Sequence, residues 1–235
     1  MSHQHTTLVG WRFWKLALLA LVTLGLTMSM SGCSGILGLG TTKGSGNVKT
    51  ASRAVSGYTK VRLSGAGILN IAQTGTESLT ISAEDNLLPL LTSDVSDGTL
   101  TLDVKQGQSI TPTKPITYTL TVKQLNALDL SGAATINAVN ITTDALQVTC
   151  SGAGTLTISG SAQSQSVTIS GAGSYNARDF KTSGSTVEIS GIGNATVTAN
   201  QTLNATISGA GTVTYYGSPK VTQSVSGTGS IKQGK

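Results

Sequence analysis

Apolar and polar residues alternate along most of the chain after residue 57, and this alternation predicts strands. Apolar residues lie two apart in four successive segments: VRLSGAGILNI, SLTISAE, GTLTLDVKQG and ITYTLTVKQL. A period of two places alternate side chains on opposite faces of a strand. Turn residues such as Asp97-Gly98 separate the segments. We therefore predict an N-terminal β section over residues 58–124. Within it, Asn86–Leu91 (NLLPLL) lacks the alternation and predicts a short helical turn or a loop.

A second pattern begins after residue 124, where the motif Ser-Gly-x-Gly (SGxG) or a close variant returns every 18 to 20 residues. Self-similarity at such a period is typical of a solenoid. Alignment on the motif gives two apolar columns. The residues just before the motif are Leu130, Cys150, Ile169, Ile189, Ile207 and Val225. The residues five after its serine are Ile136, Leu156, Tyr175, Ala195, Val213 and Ile231. An early copy at Ser64 fits the same alignment, with Leu63 and Leu69 in the two columns.

The repeat predicts an all-β fold, a parallel β-helix-like solenoid with short SGxG turns over residues 125–235. Each repeat would be a strand, a bend, a second strand and a return loop. Glycine permits positive φ and a close approach of stacked backbones, so every turn can lie on the one below at about 4.8 Å. The apolar columns then become a narrow core. Ile189 is predicted to face that core, and Thr196 is predicted to face solvent.

The first 32 residues predict a secretory signal peptide. A basic segment, Trp11–Lys15, precedes the apolar run Leu16–Leu26, which is too short to span a bilayer of about 30 Å. The run leads into Met30–Cys33 (MSGC), which resembles the lipobox of bacterial lipoproteins, although Met stands where Leu is usual. We predict that residues 1–32 are removed and that Cys33 is lipidated, which makes the membrane a partner through the anchor. The alternative is an ordinary signal peptide followed by an unmodified cysteine.

Residues 33–57 are rich in glycine, serine and threonine, and they predict a flexible tether. Ser34, rather than an aspartate, follows the cysteine, which resembles the sorting pattern of outer-membrane lipoproteins in Gram-negative cells. The expected location is therefore the bacterial cell envelope, as an outer-membrane lipoprotein. Whether the domain would face the periplasm or the exterior stays open.

Charge and composition exclude several classes of partner and of catalytic or metal site. The net charge of +5 falls to +3 once the two basic residues of the leader are removed, and this small excess is spread out, so no nucleic-acid partner is expected. Both histidines, His3 and His5, lie in the leader, so the mature chain has neither a histidine-based triad nor a histidine-containing zinc site. The stretch Gly35–Lys43 lacks the Gly-Lys-Ser/Thr ending of a phosphate loop. We expect no cofactor, no metal and no catalytic residue.

The repeat region contains four carboxylates that could supply a glycosidase pair: Asp129, Asp144, Asp179 and Glu188. A glycosidase needs two carboxylates within roughly 5–9.5 Å. Asp129 and Glu188 occupy the same position of the repeat, but three strands at about 4.8 Å would separate them by about 14 Å. Asp179 follows Arg178 in a return loop, where an ion pair or solvation is expected.

Two further residue types could suggest a site. Cys150 lies in a column otherwise filled by Leu, Ile and Val, so we predict a buried, inert side chain rather than a reactive thiol. Among aromatic residues, Tyr215 has inward parity and Tyr216 is predicted to be exposed. One exposed ring is little evidence for a sugar-binding platform.

The order of segments resembles a known family. An opening strand ends near the first SGAG, a GTLTLDV strand follows, and ITYTLTVKQLNALDLSGAATI leads into the repeated turns. Over Tyr58–Ser230 this layout is similar to the family called putative auto-transporter adhesin, head GIN domain. The resemblance implies a right-handed β-helix-like domain on a secreted or lipid-anchored envelope protein. It brings no catalytic residues and no agreed molecular activity.

The leading hypothesis is a non-enzymatic, lipid-anchored β-solenoid with an adhesive or structural role. It would present ladders of Thr, Ser and Asn to a polysaccharide or a surface protein. The alternative is an envelope enzyme, a lyase or hydrolase, acting on polysaccharide. A cleft with two carboxylates in reach, or with a carboxylate beside Lys and Arg, would favour the enzyme, whereas a flat polar ladder would favour binding. The oligomeric state stays open.

Overall fold

The structure, a computed structural model, describes residues 40–235. The predicted signal peptide and the lipidation site Cys33 lie outside the described residues. The described chain forms one sheet of 15 strands and a separate two-stranded sheet. The one helical element in this part of the chain is the 3₁₀ helix Leu88–Leu90. These features confirm the all-β fold, and of the helical turn or loop expected for NLLPLL the structure has the helical turn.

The strands are, in chain order, β1 (Thr41–Lys43), β2 (Val48–Arg53), β3 (Lys60–Leu63), β4 (Ala66–Gln73), β5 (Ser78–Glu84), β6 (Leu91–Ser96), β7 (Thr99–Val104), β8 (Ser109–Thr111), β9 (Thr117–Val122), β10 (Ala127–Leu130), β11 (Ala133–Cys150), β12 (Ala153–Ile169), β13 (Ala172–Ile189), β14 (Ile192–Ile207), β15 (Ala210–Tyr216), β16 (Lys220–Val225) and β17 (Thr228–Gln233).

The large sheet winds into a parallel β-solenoid of about five turns. We call the strands before the SGxG motif the first face: β7, β3, β10, the C-terminal parts of β11–β14, and β16. The strands after the motif form the second face: β9, β4, the N-terminal parts of β11–β14, β15 and β17. The long strands pass from the second face to the first face of the next turn. Register shifts in their pairing, such as the one between Ala138 and Ile141, mark the bend.

The SGxG motif places glycine where successive backbones meet most closely. The amides of Ser151 and Gly152 both donate to the carbonyl of Leu130, at 3.0 and 3.1 Å, and the same pattern recurs at each motif from Ser131 to Ser226. A Cβ atom on Gly152 would overlap the carbonyl oxygen of Gly132, and one on Gly171 would overlap that of Gly152. The first glycine of the motif is therefore required by close approach. Within the motif, positive φ occurs only at the second glycines Gly67 and Gly154 among the described residues.

The two predicted apolar columns form the core. Leu63, Leu130, Cys150, Ile169, Ile189 and Ile207 lie in register and are almost fully buried. Their partners across the motif are Leu69, Ile136, Leu156, Tyr175, Ala195 and Val213, also buried. Each buried Leu or Ile contributes about 1.5–3 kcal/mol. The prediction is wrong for Val225, which is 44% exposed because no described strand lies beyond β16 to cover it.

The N-terminal region joins the same stack. β3 pairs in parallel with β10, and β4 pairs in parallel with β11, so the early SGAG at Ser64 lies directly under the motif at Ser131. The strands β6, β5 and β2 pair antiparallel to their neighbours and close this end. The predicted tether is wrong for residues 41–53, because β1 pairs with β8 and β2 pairs with β5.

A buried carboxylate holds this N-terminal segment. Glu84 is 1% exposed and accepts hydrogen bonds from the amides of Gly46 (2.7 Å), Thr113 (2.8 Å) and Lys114 (3.3 Å). It also accepts one from the Thr113 hydroxyl. The Thr113 hydroxyl, followed by the three amides, lowers the pKa of Glu84 to about 2 against the opposing effect of burial. Glu84 is thus a charged group that joins two loops.

The next two residues continue the connection. Asp85 accepts a hydrogen bond from the Ser45 hydroxyl at 2.6 Å and pairs with Lys49 at 3.6 Å. Asn86 donates to the carbonyl of Lys43 at 2.8 Å and accepts from the amide of Ser45 at 2.9 Å. The side chains of Glu84, Asp85 and Asn86 therefore fix residues 43–49. Gly46 and Ser45 of that loop donate hydrogen bonds to them.

Candidate functional site

The outward side of the first face carries two columns of polar side chains, and we call it the ladder face. One column contains Lys60, Ala127, Gln147, Ser166, Thr186, Asn204 and Thr222. The other contains Arg62, Asp129, Thr149, Thr168, Glu188, Thr206 and Ser224. Because parallel strands in register stack like positions, the repeat brings hydroxyl and amide groups into lines across the strands. This arrangement is the polar ladder that the sequence predicts.

Two depressions lie on the N-terminal half of the ladder face. The larger has a volume of about 750 Å³, and its lining includes Lys60, Asn126, Asp144, Gln147, Ser166 and Thr186. The smaller, of about 280 Å³, is lined by Lys60, Arg62, Asp129 and Thr149 among others. The larger one has a single carboxylate, Asp144, among its lining residues, and no ion pair joins Asp144 to Lys60 within residues 40–235.

The column argument about carboxylates is confirmed. Asp129 pairs with Thr149, the next strand supplies Thr168, and Glu188 follows, so three strand spacings of about 4.8 Å separate the two carboxylates. Asp129 instead accepts a hydrogen bond from the Nε of Arg62 at 2.8 Å. The two carboxylates are therefore too far apart to act as a glycosidase pair.

Asp179 takes one of the two roles expected for it. It lies on β13 where the pairing to β14 breaks, between Ala177 and Lys181, and its side chain is exposed. No ion pair joins it to Arg178 among the described residues. The guanidinium of Arg178 lies over the ring of Tyr216 instead, with 4.5 Å between its Cζ and the ring centroid. Solvation is thus the environment of Asp179.

Cys150 is buried, as predicted. Its side chain is 1% exposed, and it is a free thiol. Burial, followed by the nearby charge of Asp129, raises the pKa of the thiol. A buried thiol with a raised pKa is a poor nucleophile, so Cys150 functions as a core residue.

In residues 40–235 no group of three or more His, Cys, Asp and Glu side chains is placed to hold a metal ion. Over the described range, no helix has the length and apolarity needed to cross a membrane.

A buried polar chain in the core was not predicted. Tyr175 donates from its hydroxyl to Gln165 at 2.7 Å, and Gln165 donates to the hydroxyl of Ser185 at 2.9 Å. Ser185 and Thr182 lie 2.8 Å apart, and Thr182 donates to the carbonyl of Thr198 at 2.9 Å. Burial raises the pKa of Tyr175, so its hydroxyl stays protonated. Every hydroxyl has a partner, and the chain therefore stabilises the core.

The signal for this polar chain was present in the sequence. Gln165 and Ser185 occupy the inward position held by Leu146 and Leu203 in neighbouring repeats. Two adjacent polar residues in an inward column indicate a buried hydrogen-bonded pair. Tyr175 belongs to the other inward column, and only the folded turn brings its hydroxyl to Gln165.

Comparison with known proteins adds an independent line of evidence. A family model described as "Putative auto-transporter adhesin, head GIN domain" matches residues 57–219. The crystal structure of a putative adhesin from Bacteroides fragilis is similar, with 25% identity and a TM-score of 0.69, and the match covers 81% of this chain and 99% of that chain. No curated protein sequence matches the chain.

Two further solved structures are more distant. A putative adhesin from Parabacteroides merdae is 23% identical with a TM-score of 0.49, over 83% of this chain and 99% of that chain. A putative lipid binding protein from Parabacteroides distasonis is 22% identical with a TM-score of 0.49, over 82% of this chain and 99% of that chain.

Proposed function

Because this chain belongs to the family described as putative auto-transporter adhesin, head GIN domain, we propose that it is a non-enzymatic adhesive protein of the bacterial cell envelope. Lipid on Cys33 holds it at the outer membrane, and the solenoid is presented to a polysaccharide. The similar fold of the Bacteroides fragilis putative adhesin supports the adhesive role.

The observation that carries the proposal is the ladder face. Its Asn, Gln, Ser and Thr side chains can each donate and accept hydrogen bonds, and they repeat in register from strand to strand. A polysaccharide offers many hydroxyl groups along one chain. Many weak contacts in a row give a high overall avidity, which suits attachment rather than turnover of a single bond.

The absence of an enzyme's geometry at the candidate carboxylates supports the same conclusion. Asp129 is engaged by Arg62, and Asp144 is the single carboxylate of the larger depression. We therefore expect the purified protein to release no new reducing or unsaturated ends from envelope or host polysaccharides. Turnover that disappears in Asp144→Asn would favour the enzyme hypothesis.

The experiment that tests adhesion compares bulky changes on and off the ladder face. Ser166→Arg with Thr186→Arg places two long side chains in the middle of one column. Thr50→Arg with Thr119→Arg, on exposed positions of β2 and β9 outside the ladder face, is the control pair. Cells carrying the first pair should attach less to polysaccharide-coated surfaces, and cells carrying the control pair should attach normally. Equal attachment of both strains would refute the role of the ladder face.

The anchor has its own test. In Cys33→Ala we expect loss of metabolic fatty-acid labelling and transfer of the protein from the detergent phase to the aqueous phase, since several acyl chains of about 0.8 kcal/mol per buried CH₂ would be missing. Unchanged labelling and partition in this variant would show that Cys33 is not the anchor.

A further inference from the structure

A cluster of cations surrounds one aromatic ring at the C-terminal end of the second face. Tyr216 is the ring, and the Arg178 guanidinium lies over it with 4.5 Å between Cζ and the centroid. The hydroxyl of Thr198, on the strand between them, donates to the carbonyl of Arg178 at 2.7 Å. The ring contacts the Arg178 side chain, and the Thr198 hydroxyl of the neighbouring strand holds the Arg178 backbone. A cation stacked on an aromatic face loses little further freedom when it binds an anion.

Two lysines are placed beside this stack by strand register. Lys181 pairs with Thr198, which pairs with Tyr216, so Lys181 lies two strands from the ring, about 10 Å away. Lys232 pairs with Thr214, two residues before Tyr216, which makes Lys232 the diagonal neighbour of the ring. Both lysines are exposed. We call Arg178, Lys181, Tyr216 and Lys232 the basic patch.

Gln233 and Gly234 are hydrogen-bonded beside the patch. Gln233 donates from its side-chain amide to the carbonyl of Gly217 at 2.8 Å, and Gly234 donates from its amide to the carbonyl of Tyr215 at 2.8 Å. Gly234 also contacts the Tyr216 ring, since a Cβ atom there would overlap it. These contacts of the two following residues fix the backbone next to Lys232.

The cations of the patch have no carboxylate partner in the described structure. The three ion pairs of residues 40–235 are Lys49–Asp85, Arg62–Asp129 and Lys123–Glu77, all away from the patch. Asp179 is the one carboxylate next to it in sequence, and residues 189–235 contain no Asp or Glu. The potential near Tyr216 is therefore positive over a distance comparable to the Debye length of about 8 Å.

We propose that the basic patch binds an acidic polysaccharide, one that carries carboxylate or sulfate groups. This inference rests on the proposed adhesive function and names the ligand class of a second surface. Arg178 presents its remaining N–H groups to a planar carboxylate or a sulfate, and the lysines neutralise neighbouring charges. The outward column that ends at Lys232 contains Asn176, Thr196 and Thr214, whose hydroxyl and amide groups suit the sugar hydroxyls between charges.

The test measures binding of the full-length protein to polygalacturonate, dextran sulfate and uncharged dextran at low and at physiological ionic strength. Binding to the two acidic polymers, weaker at higher salt and absent for dextran, is the expected result. Lys181→Gln with Lys232→Gln should weaken it about tenfold or more, because two charge-assisted contacts are lost. The matched control is Lys105→Gln with Lys114→Gln, two exposed lysines of the N-terminal region that form no ion pair within residues 40–235, and it should bind like the unmodified protein.

A second pair of variants tests the stacked arginine. Tyr216→Phe keeps the ring and should retain binding, whereas Tyr216→Leu removes the π face under Arg178 and should weaken it. Melting temperatures measured for all variants separate loss of binding from loss of folding. If Tyr216→Leu does not fold, the single variant Lys181→Gln, which changes an exposed side chain, tests the patch instead.

Several outcomes would overturn the inference: no binding to either acidic polymer, equal weakening in the Lys105 and Lys114 control, or tighter binding to phosphatidylglycerol vesicles, to an acidic peptide or to single-stranded DNA. The ladder-face variants separate this result from the proposed function. If acidic polymers fail to bind while attachment still depends on Ser166 and Thr186, the basic patch is refuted and the adhesive function stands. If patch variants lose polymer binding while attachment is insensitive to the ladder-face variants, the role of the ladder face is refuted and the basic patch stands.

Discussion

The N-terminal region, residues 40–124, and the repeat region, residues 125–235, share the large sheet but are held together differently. All three ion pairs of the described chain involve the N-terminal region, and its first strands depend on the individual hydrogen bonds of Glu84, Asp85 and Asn86. In the repeat region the same glycine contact and the same apolar columns recur in each turn. One region is built from unique contacts and the other from one contact used many times.

The difference predicts which changes each region tolerates. In the repeat region, inward residues and motif glycines should be intolerant in every turn, whereas outward positions should accept many side chains. In the N-terminal region, a single polar residue can matter as much as a core residue, because no second copy of its contact exists. Four experiments test this contrast, in order of decreasing expected effect.

The largest effect is expected from a charge in the core column. Ile189 is 0% exposed in the middle of the stack, so Ile189→Asp should lower the free energy of unfolding by about 5 kcal/mol. Thr196 lies on the outward side of β14, the strand that follows Ile189. Thr196→Asp should therefore lower the free energy of unfolding by less than about 1 kcal/mol. Urea denaturation of both variants measures the difference. Similar midpoints would show that the column assignment is incorrect.

The second largest loss of stability is expected when a methyl group is added to the first glycine of one SGxG motif. The Cβ of Gly171→Ala would overlap the carbonyl oxygen of Gly152, and backbone cannot yield without separating two turns. The expected loss is about 3 kcal/mol. Gly184→Ala is the matched control, because its Cβ would lie 3.0 Å from the side-chain oxygen of Thr202, which can rotate. If both alanines cost the same, close approach does not explain the motif.

The third experiment uses pH to address the N-terminal region alone. The folded-state pKa of Glu84 is about 2, below its ordinary value of 4.5. A lowered pKa means that the carboxylate stabilises the fold fully above about pH 4.5, and that this stability is lost as the pH falls from 4.5 towards 2. The lowered pKa values of Asp85 and Glu77 act in the same direction.

Hydrogen exchange should therefore show residues 41–53 losing protection on acidification, while β11–β14 keep theirs. In Glu84→Gln the protection of residues 41–53 should be lower already at pH 7 and should change less with pH, because the titrating group is gone. Uniform loss of protection along the chain at low pH would mean that Glu84 does not act locally.

The smallest effect is expected at the ion pair that joins the two regions. Arg62 and Asp129 are 52% and 28% exposed, so solvent screens their 2.8 Å contact. A double-mutant cycle with Arg62→Gln and Asp129→Asn should give a coupling of about 0.5 kcal/mol. A coupling several times larger would indicate that the junction depends on this pair rather than on the stacking of β3 against β10.

Features that depend on the repeat period could be predicted from the sequence. Features that depend on contacts between residues far apart in the chain could not. The register that separates Asp129 from Glu188, the burial of Cys150 and the inward columns all follow from counting residues relative to the motif. The strands at residues 41–53 could not be found this way. Their composition is typical of a linker, and the residues that order them, Glu84 and Thr113, lie far along the chain.

The ladder face and the basic patch differ in the same way in how far the sequence predicts them. The ladder face follows from alternation within each repeat, so its residues were predictable in outline. The basic patch depends on Arg178 and Tyr216, which are 38 positions apart and meet only because β13 and β15 lie on either side of β14. The exposure of Val225 depends on what lies beyond β16, and no local pattern carries that information.

The turn-to-turn pairing of the strands has a mechanical consequence. Because each turn of the repeat region bonds to the turn before and the turn after it, a pulling force directed along the stack is carried by all the rows of backbone bonds in series. A repeat protein under such a load yields at one interface at a time, and every yielded turn releases 18 to 20 residues of slack chain. A solenoid of this kind lengthens in steps under tension and absorbs work at each step.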